Sequence, residues 1–90
     1  MTYLLNPDKT EVFNCLKKGQ TLSFFRQDPR HGLIDVRIYI TDEAEIVVSP
    51  LAKRHSSELQ PQFYRLDNWD TIWQEWDLEA PLKADDYTLM

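Results

Sequence analysis

Ninety residues with a net charge of −5 form a small acidic chain, long enough for one hydrophobic core. The charge is uneven: residues 67–90 carry seven acids and one base, for a net −6, whereas residues 1–66 carry eight acids and nine bases, for a net +1. This distribution argues against a phosphate backbone as the main partner and favours a basic protein surface, or solubility alone.

The residue inventory also excludes several chemistries. Cys15 is the single cysteine, so the chain forms no internal disulfide. No leader-like segment is evident, and no apolar run approaches the roughly eighteen residues of a membrane span. We therefore expect a soluble, cytoplasmic protein without membrane contact. Two isolated glycines cannot form a phosphate loop, and Cys15, His31 and His55 share no ligand spacing. No metal or other cofactor is expected.

The N-terminal part predicts a helix. Asn6 is the expected N-cap, Pro7 the first helical residue, and Gly19 the end. The apolar stripe of this helix comprises Val12, Phe13 and Leu16.

Residues 33–41 predict the strand around which the fold is built. Branched apolar side chains occupy the even positions, and polar or amphipathic ones occupy Asp35, Arg37 and Tyr39. Residues 20–27 and 45–49 predict its two neighbours, with Pro50 as the end of the third strand. Turn-forming residues between the segments place Phe25 opposite Asp35, Ser23 opposite Arg37 and Tyr39 opposite Val47. Both hairpins then bring their apolar residues to the same sheet face.

The remaining chain is less regular. Residues 51–60 have no clean period, and residues 61–66 predict a weak fourth strand at a sheet edge. Residues 68–76 predict a helix whose apolar stripe we expect in the core: Trp69, Ile72, Trp73 and Trp76. Beyond Leu78 the chain is expected to leave regular structure, with residues 84–90 as a mobile acidic tail after a single domain of residues 1–83.

These elements predict an α+β fold, a two-layer sandwich. It has an N-terminal helix, a three- to four-stranded antiparallel meander and a C-terminal helix on the same sheet face. The order is similar in topology to double-stranded-RNA-binding domains. Those domains need a basic start to their second helix, where this chain reads Asp67-Asn68-Trp69-Asp70. No family is assigned on this basis.

The sheet face away from the helices is the predicted partner-binding surface. It would present aromatic and arginine side chains, which dominate interface hot spots. The predicted partner-binding residues are Phe25, Asp35, Arg37, Tyr39 and Val47. Two alternatives are that residues 78–82 fold back over this face, or that a homodimer covers it. A basic cluster offers a further anion contact, or is merely a solvated loop: Lys53, Arg54 and His55.

The functional hypothesis is a small, acidic, non-enzymatic protein-interaction module, such as a regulator, inhibitor or assembly factor. It would bind a protein partner, for which a basic surface is one candidate, through the open sheet face and the acidic C-terminal region. The alternative is a single-stranded nucleic-acid-binding domain that uses the face aromatics and the Lys53-Arg54 patch. An enzyme is not expected, because no catalytic constellation stands out in the sequence.

Overall fold

The computed structural model describes residues 8–52, 59–83 and 86–90 and has an α+β architecture, as predicted. A short 3-10 turn at Leu66–Asn68 precedes the second helix. The sheet has five strands, more than the predicted three to four. In chain order the elements are α1 (Lys9–Lys17), β1 (Leu22–Asp28), β2 (Gly32–Ile40), β3 (Glu45–Ala52), β4 (Gln62–Arg65), α2 (Trp69–Glu75), α3 (Glu79–Lys83) and β5 (Tyr87–Leu89).

Helix α1 begins later than predicted. Its N-cap is Asp8, whose carboxylate accepts a hydrogen bond from the backbone N–H of Glu11 at 2.8 Å. This satisfies one of the N–H groups that a helix start leaves without an intrahelical partner. The predicted cap, Asn6, lies outside the described residues. Gly19 follows the helix with a φ of 97°, a left-handed conformation that suits glycine, so the predicted end is confirmed.

The strands form one antiparallel sheet in the order β4-β3-β2-β1-β5, which places β2 in the middle. The predicted hairpin registers are confirmed. Phe25 pairs with Asp35, Ser23 with Arg37, and Tyr39 with Val47. The period-two pattern and the turn residues therefore specified the central three strands together.

The third strand does not end at Pro50, contrary to the prediction. It continues to Ala52, and Pro50 pairs with Val36. Along an antiparallel strand, successive N–H groups point to opposite edges, and at position 50 that edge faces β4. The pairing of β3 with β4 ends at Val48 and Gln62, so the missing N–H of Pro50 removes no ladder hydrogen bond there.

The core lies between the inner sheet face and the helices. Trp69 is buried and joins α2 to α1: its indole Nε1–H donates to the Lys9 carbonyl at 2.9 Å, and its ring stacks on Phe13 at 5.6 Å. Trp73 and Trp76 are only partly buried and pack at the margin of the core, so the predicted burial of the tryptophan stripe holds fully for Trp69 and in part for these two. The core comprises Val12, Cys15, Leu16, Leu22, Phe24, Ile34, Val36, Ile38, Ile46, Val48, Trp69, Ile72, Leu78, Leu82, Tyr87 and Leu89.

The C-terminal segment remains in regular structure, which corrects the expectation for residues beyond Leu78. Pro81 is the third residue of α3, within the first turn, where a helix needs no N–H donor. Residues 84–90 were expected as a mobile tail, but β5 pairs with β1 along the sheet edge. The side chains of Tyr87 and Leu89 enter the core. Residues 84 and 85 lie outside the described part.

Candidate interaction surface

The sheet presents one side to the helices and the other away from them; we call the second side the outer face. Because side chains alternate along each strand, the observed registers assign its members. The outer face comprises Ser23, Phe25, Gln27, Leu33, Asp35, Arg37, Tyr39, Glu45, Val47, Ser49, Leu51, Phe63, Arg65 and Thr88.

Large apolar side chains are exposed on the outer face. Within the described ranges, the exposed large hydrophobic side chains that belong to strands all lie there: Phe63 (62% exposed), Phe25 (52%), Leu33 (50%), Leu51 (46%) and Tyr39 (38%). Scattered single exposed hydrophobics are normal on a protein surface, but a set of five on one sheet face is not. The apolar surface of this sheet therefore extends to both of its sides.

The apolar side chains form two groups separated by a polar band. At one end, Tyr39, Val47 and Phe63 are register neighbours on β2, β3 and β4. At the other end, Phe25 and Leu51 flank the position of Asp35, with Leu33 two residues along β2. The band between them holds Arg37, with Ser23 and Ser49 as its cross-strand neighbours.

The charges on the outer face balance. The guanidinium Nε of Arg37 lies 3.4 Å from the Asp35 carboxylate, and the Ser23 hydroxyl donates to the same carboxylate at 3.1 Å. Glu45 and Arg65 are paired in register at one corner. Among the outer-face residues that the structure describes, two acids and two bases cancel, and Arg65 also lies 3.7 Å from the Asp67 carboxylate at the margin of the face.

The five predicted partner-binding residues all lie on the outer face, but they do not form one cluster. Phe25 is level with position 35, four residues from Tyr39 along β2, which separates them by about 14 Å at ~3.4 Å per residue. Val47 is only 2% exposed between Tyr39 and Phe63. Its side chain is covered at this position and offers little surface of its own to a partner.

Three exposed large apolar residues of the outer face were not predicted from the sequence. Leu33 could have been found, because it shares the odd-numbered parity of Asp35 and Arg37. Leu51 was lost when the strand was ended at Pro50. Phe63 required the register of β4, which the short segment 61–66 did not specify.

The other predicted contacts have different outcomes. The anion-contact cluster Lys53, Arg54 and His55 lies outside the described residues.

The C-terminal segment does not cover the outer face, because Leu78 and Leu82 enter the core on the helix side. Of the described acids that follow residue 66, Asp70, Glu75 and Glu79 belong to α2 and α3, across the sheet from the outer face, whereas the Asp67 carboxylate lies 3.7 Å from the Nε atom of Arg65 at the margin of that face. The open face and the acidic region are thus two separate surfaces.

A cleft of about 580 Å³ opens at one end of the sandwich, beside Trp76 and Pro50. The Arg26 guanidinium projects here from β1. It lies 5.6 Å from the Trp76 ring centre and 5.8 Å from that of Phe24, and donates to the Asp77 carbonyl at 3.3 Å. Arg26 is therefore held by rings and a carbonyl of its own chain.

Neither a metal site nor a membrane span is found in the described residues. In residues 8–52, 59–83 and 86–90, no three His, Cys, Asp or Glu side chains are grouped so as to hold a metal ion. Among the helices of these same ranges, none has the length and apolar character needed to cross a membrane.

Comparisons with known proteins supply no relative. No protein-family model matches the chain, and searches of the curated proteins and of the solved structures find no significant match either. Function must therefore be argued from the surface itself.

Proposed function

We propose that this chain is a non-enzymatic protein-interaction module that binds a protein through its outer face. The observation that carries the proposal is the concentration of exposed Phe63, Phe25, Leu33, Leu51 and Tyr39 on the sheet side that no described helix covers. Exposed apolar surface grouped on one sheet face is costly to leave in water, and aromatic side chains are enriched where proteins dock.

The scaffold suits this role. Strands β1, β2 and β3 are hydrogen-bonded to a neighbour on both sides, so their outward side chains stand on a fixed backbone. A phenylalanine or tyrosine has few rotatable bonds, and ordering it on binding costs little conformational entropy. The polar band around Arg37 and Ser23 would fix the orientation of a bound protein, with an apolar contact on either side of the band.

A single-stranded nucleic acid is the second candidate, favoured by three exposed rings on one sheet face: Phe25, Tyr39 and Phe63. The balanced charge of the face weighs against it, because phosphate binding needs an excess of cations. Titration with single-stranded oligonucleotides at low salt decides this. Binding that weakens linearly with log salt concentration would support the nucleic-acid function, and its absence would remove it.

The protein-binding function is tested by affinity capture from native lysate. The baits are the wild type, the outer-face variant Phe25→Ser/Phe63→Ser and a helix-side control, Gln74→Ala. Gln74 is exposed on a helix, so its change should shift the free energy of unfolding by about 0.5 kcal/mol or less. Each phenylalanine is partly covered in a strand, so each Phe→Ser change should cost about 1–2 kcal/mol, and thermal unfolding checks that the variant is folded. We expect the wild type and Gln74→Ala to capture proteins, including endogenous copies of this chain, that the outer-face variant does not capture. Recovery of the same proteins by all three baits would refute the proposal.

A further inference from the structure

The outward residues of β2 have a self-complementary order. Leu33, Asp35, Arg37 and Tyr39 read apolar, acid, base, apolar along the strand. Read in the opposite direction, the series becomes apolar, base, acid, apolar. Each charge of one copy would then face the opposite charge of a reversed second copy.

A twofold axis produces this reversal. If the axis lies between two stacked outer faces, runs perpendicular to β2 and is level with Val36, it places Asp35 over the partner's Arg37. The same operation places Leu33 over the partner's Tyr39, and every contact occurs twice, as in an isologous dimer. Because Val36 is the midpoint of β2, an axis at this level also brings the two copies of the strand into overlap along their full length.

The size of the outer face fits a small contact of this kind. The nine residues of β2 span about 30 Å at ~3.4 Å per residue, and five strands at ~4.8 Å are about 24 Å wide. Because β4 has only four residues and β5 three, the strands project onto roughly 500 Å², the size of a small interface and below the ~800 Å² that each partner buries in a standard one. Packed sheets with nearly aligned strands, about 10 Å apart, are a common arrangement.

The charge distribution also favours a second copy over a basic partner. The outer face has equal numbers of acids and bases, whereas the acids of α2 and α3 lie across the sheet. A strongly basic protein would gain nothing from this face. A neutral surface with both signs in alternation fits its own copy.

We infer that the chain forms a homodimer in which the outer faces stack about a twofold axis at Val36. The inference deepens and rests on the proposed interaction function, whose partner it names. The dimer has four layers, helices outside and two sheets inside. At its centre lie four charged side chains, Asp35 and Arg37 of each copy. Each Arg37 has one acid on either side, the Asp35 of its own chain and the Asp35 of the partner.

Charge exchange between copies tests this arrangement. Asp35→Lys alone sets a lysine ammonium against the partner's Arg37, and Arg37→Glu alone sets a glutamate carboxylate against the partner's Asp35. We expect each single variant to raise the dimer Kd at least about tenfold in sedimentation velocity. An equimolar mixture of the two variants restores opposite-charge contacts between copies, and so does the double variant Asp35→Lys/Arg37→Glu. Both should return to within about threefold of the wild-type Kd.

The mixture distinguishes the dimer from a local effect. Each single variant also loses the 3.4 Å contact within its own chain, but mixing cannot restore an intrachain contact. Thermal unfolding followed by tryptophan fluorescence checks that every variant is folded. A wild type that stays monomeric up to about 0.5 mM, or a mixture that associates no better than its components, would overturn the inference. The broader interaction function would survive either result if the outer-face bait still lost captured proteins, and would fail only if it did not.

Discussion

Asp28 organises the turn between β1 and β2 through one carboxylate oxygen. This oxygen accepts hydrogen bonds from the backbone N–H groups of Arg30 at 2.7 Å and His31 at 2.9 Å. The Nδ1 atom of the His31 ring lies 3.2 Å away. These donors, the Arg30 N–H foremost, hold the pKa of Asp28 below its ordinary value of 3.8 because they stabilise the carboxylate over the acid. The turn is therefore stabilised more by the ionised side chain than by the neutral acid.

Asp28→Asn should reveal this dependence through pH. A group whose pKa is lowered by folding contributes stability above its unfolded pKa and loses it as pH falls through the folded pKa. Asparagine keeps an accepting oxygen but does not titrate. We expect the wild type to be the more stable at pH 5–7, with the difference in free energy of unfolding shrinking below about pH 4. Urea unfolding at pH 2.5–7 measures this.

The control is Asp42→Asn in the turn between β2 and β3, which removes one negative charge without touching the Asp28 turn. If the wild-type and Asp28→Asn curves run parallel from neutral to acid pH, the hydrogen bonds of Asp28 do not favour its ionised form in solution.

At the scale of elements, the predictable parts were those in which two local signals agreed. Two adjacent hairpins put their branched residues on one face, so β1, β2 and most of β3 followed from period two. Strand β5 has three residues and α3 has five, too few to display any period. Whether Pro50 ended β3 depended on where the pairing with β4 stopped, and the register of β4 also determined on which sheet face Phe63 lies. Much of the exposed apolar surface could therefore not be predicted from the sequence, because the register of β4 was unknown.

The C-terminal strand is tested by two neighbouring residues that differ in burial. Leu89 is fully buried against β1, whereas Met90 is about half exposed. We expect Leu89→Ala to lower the free energy of unfolding by about 2–5 kcal/mol, the usual cost of a cavity in a core. Met90→Ala should cost about 0.5 kcal/mol or less. Equal small effects in chemical denaturation would show that the C-terminus is a tail after all.

For the molecule as a whole, the sheet separates two surfaces of different character. The outer face is apolar and neutral, and the helix side carries exposed acids on α2, α3 and the segment between them. The molecule is 23 Å across its shortest dimension, more than twice the Debye length of about 8 Å at physiological salt. The two surfaces should therefore act independently.

Neutralising two helix-side acids tests this independence. We expect Asp70→Asn/Glu75→Gln to leave the wild-type self-association constant unchanged within about twofold at physiological salt, since screening separates these α2 side chains from the outer face. Binding to polylysine, measured at low salt, should weaken in the same variant. A change in self-association as large as that of Asp35→Lys would show that the two surfaces are coupled.

The pairing of β5 with β1 affects how the protein is made. During synthesis β1 leaves the ribosome long before β5, so one edge of the sheet stays unpaired while the intervening residues are translated. Leu22 and Phe24 then lack the neighbours that later bury them. Joining the first strand to the last also gives the fold distant contacts, which slow the search for the native state. The nascent chain is most vulnerable to aggregation in that interval.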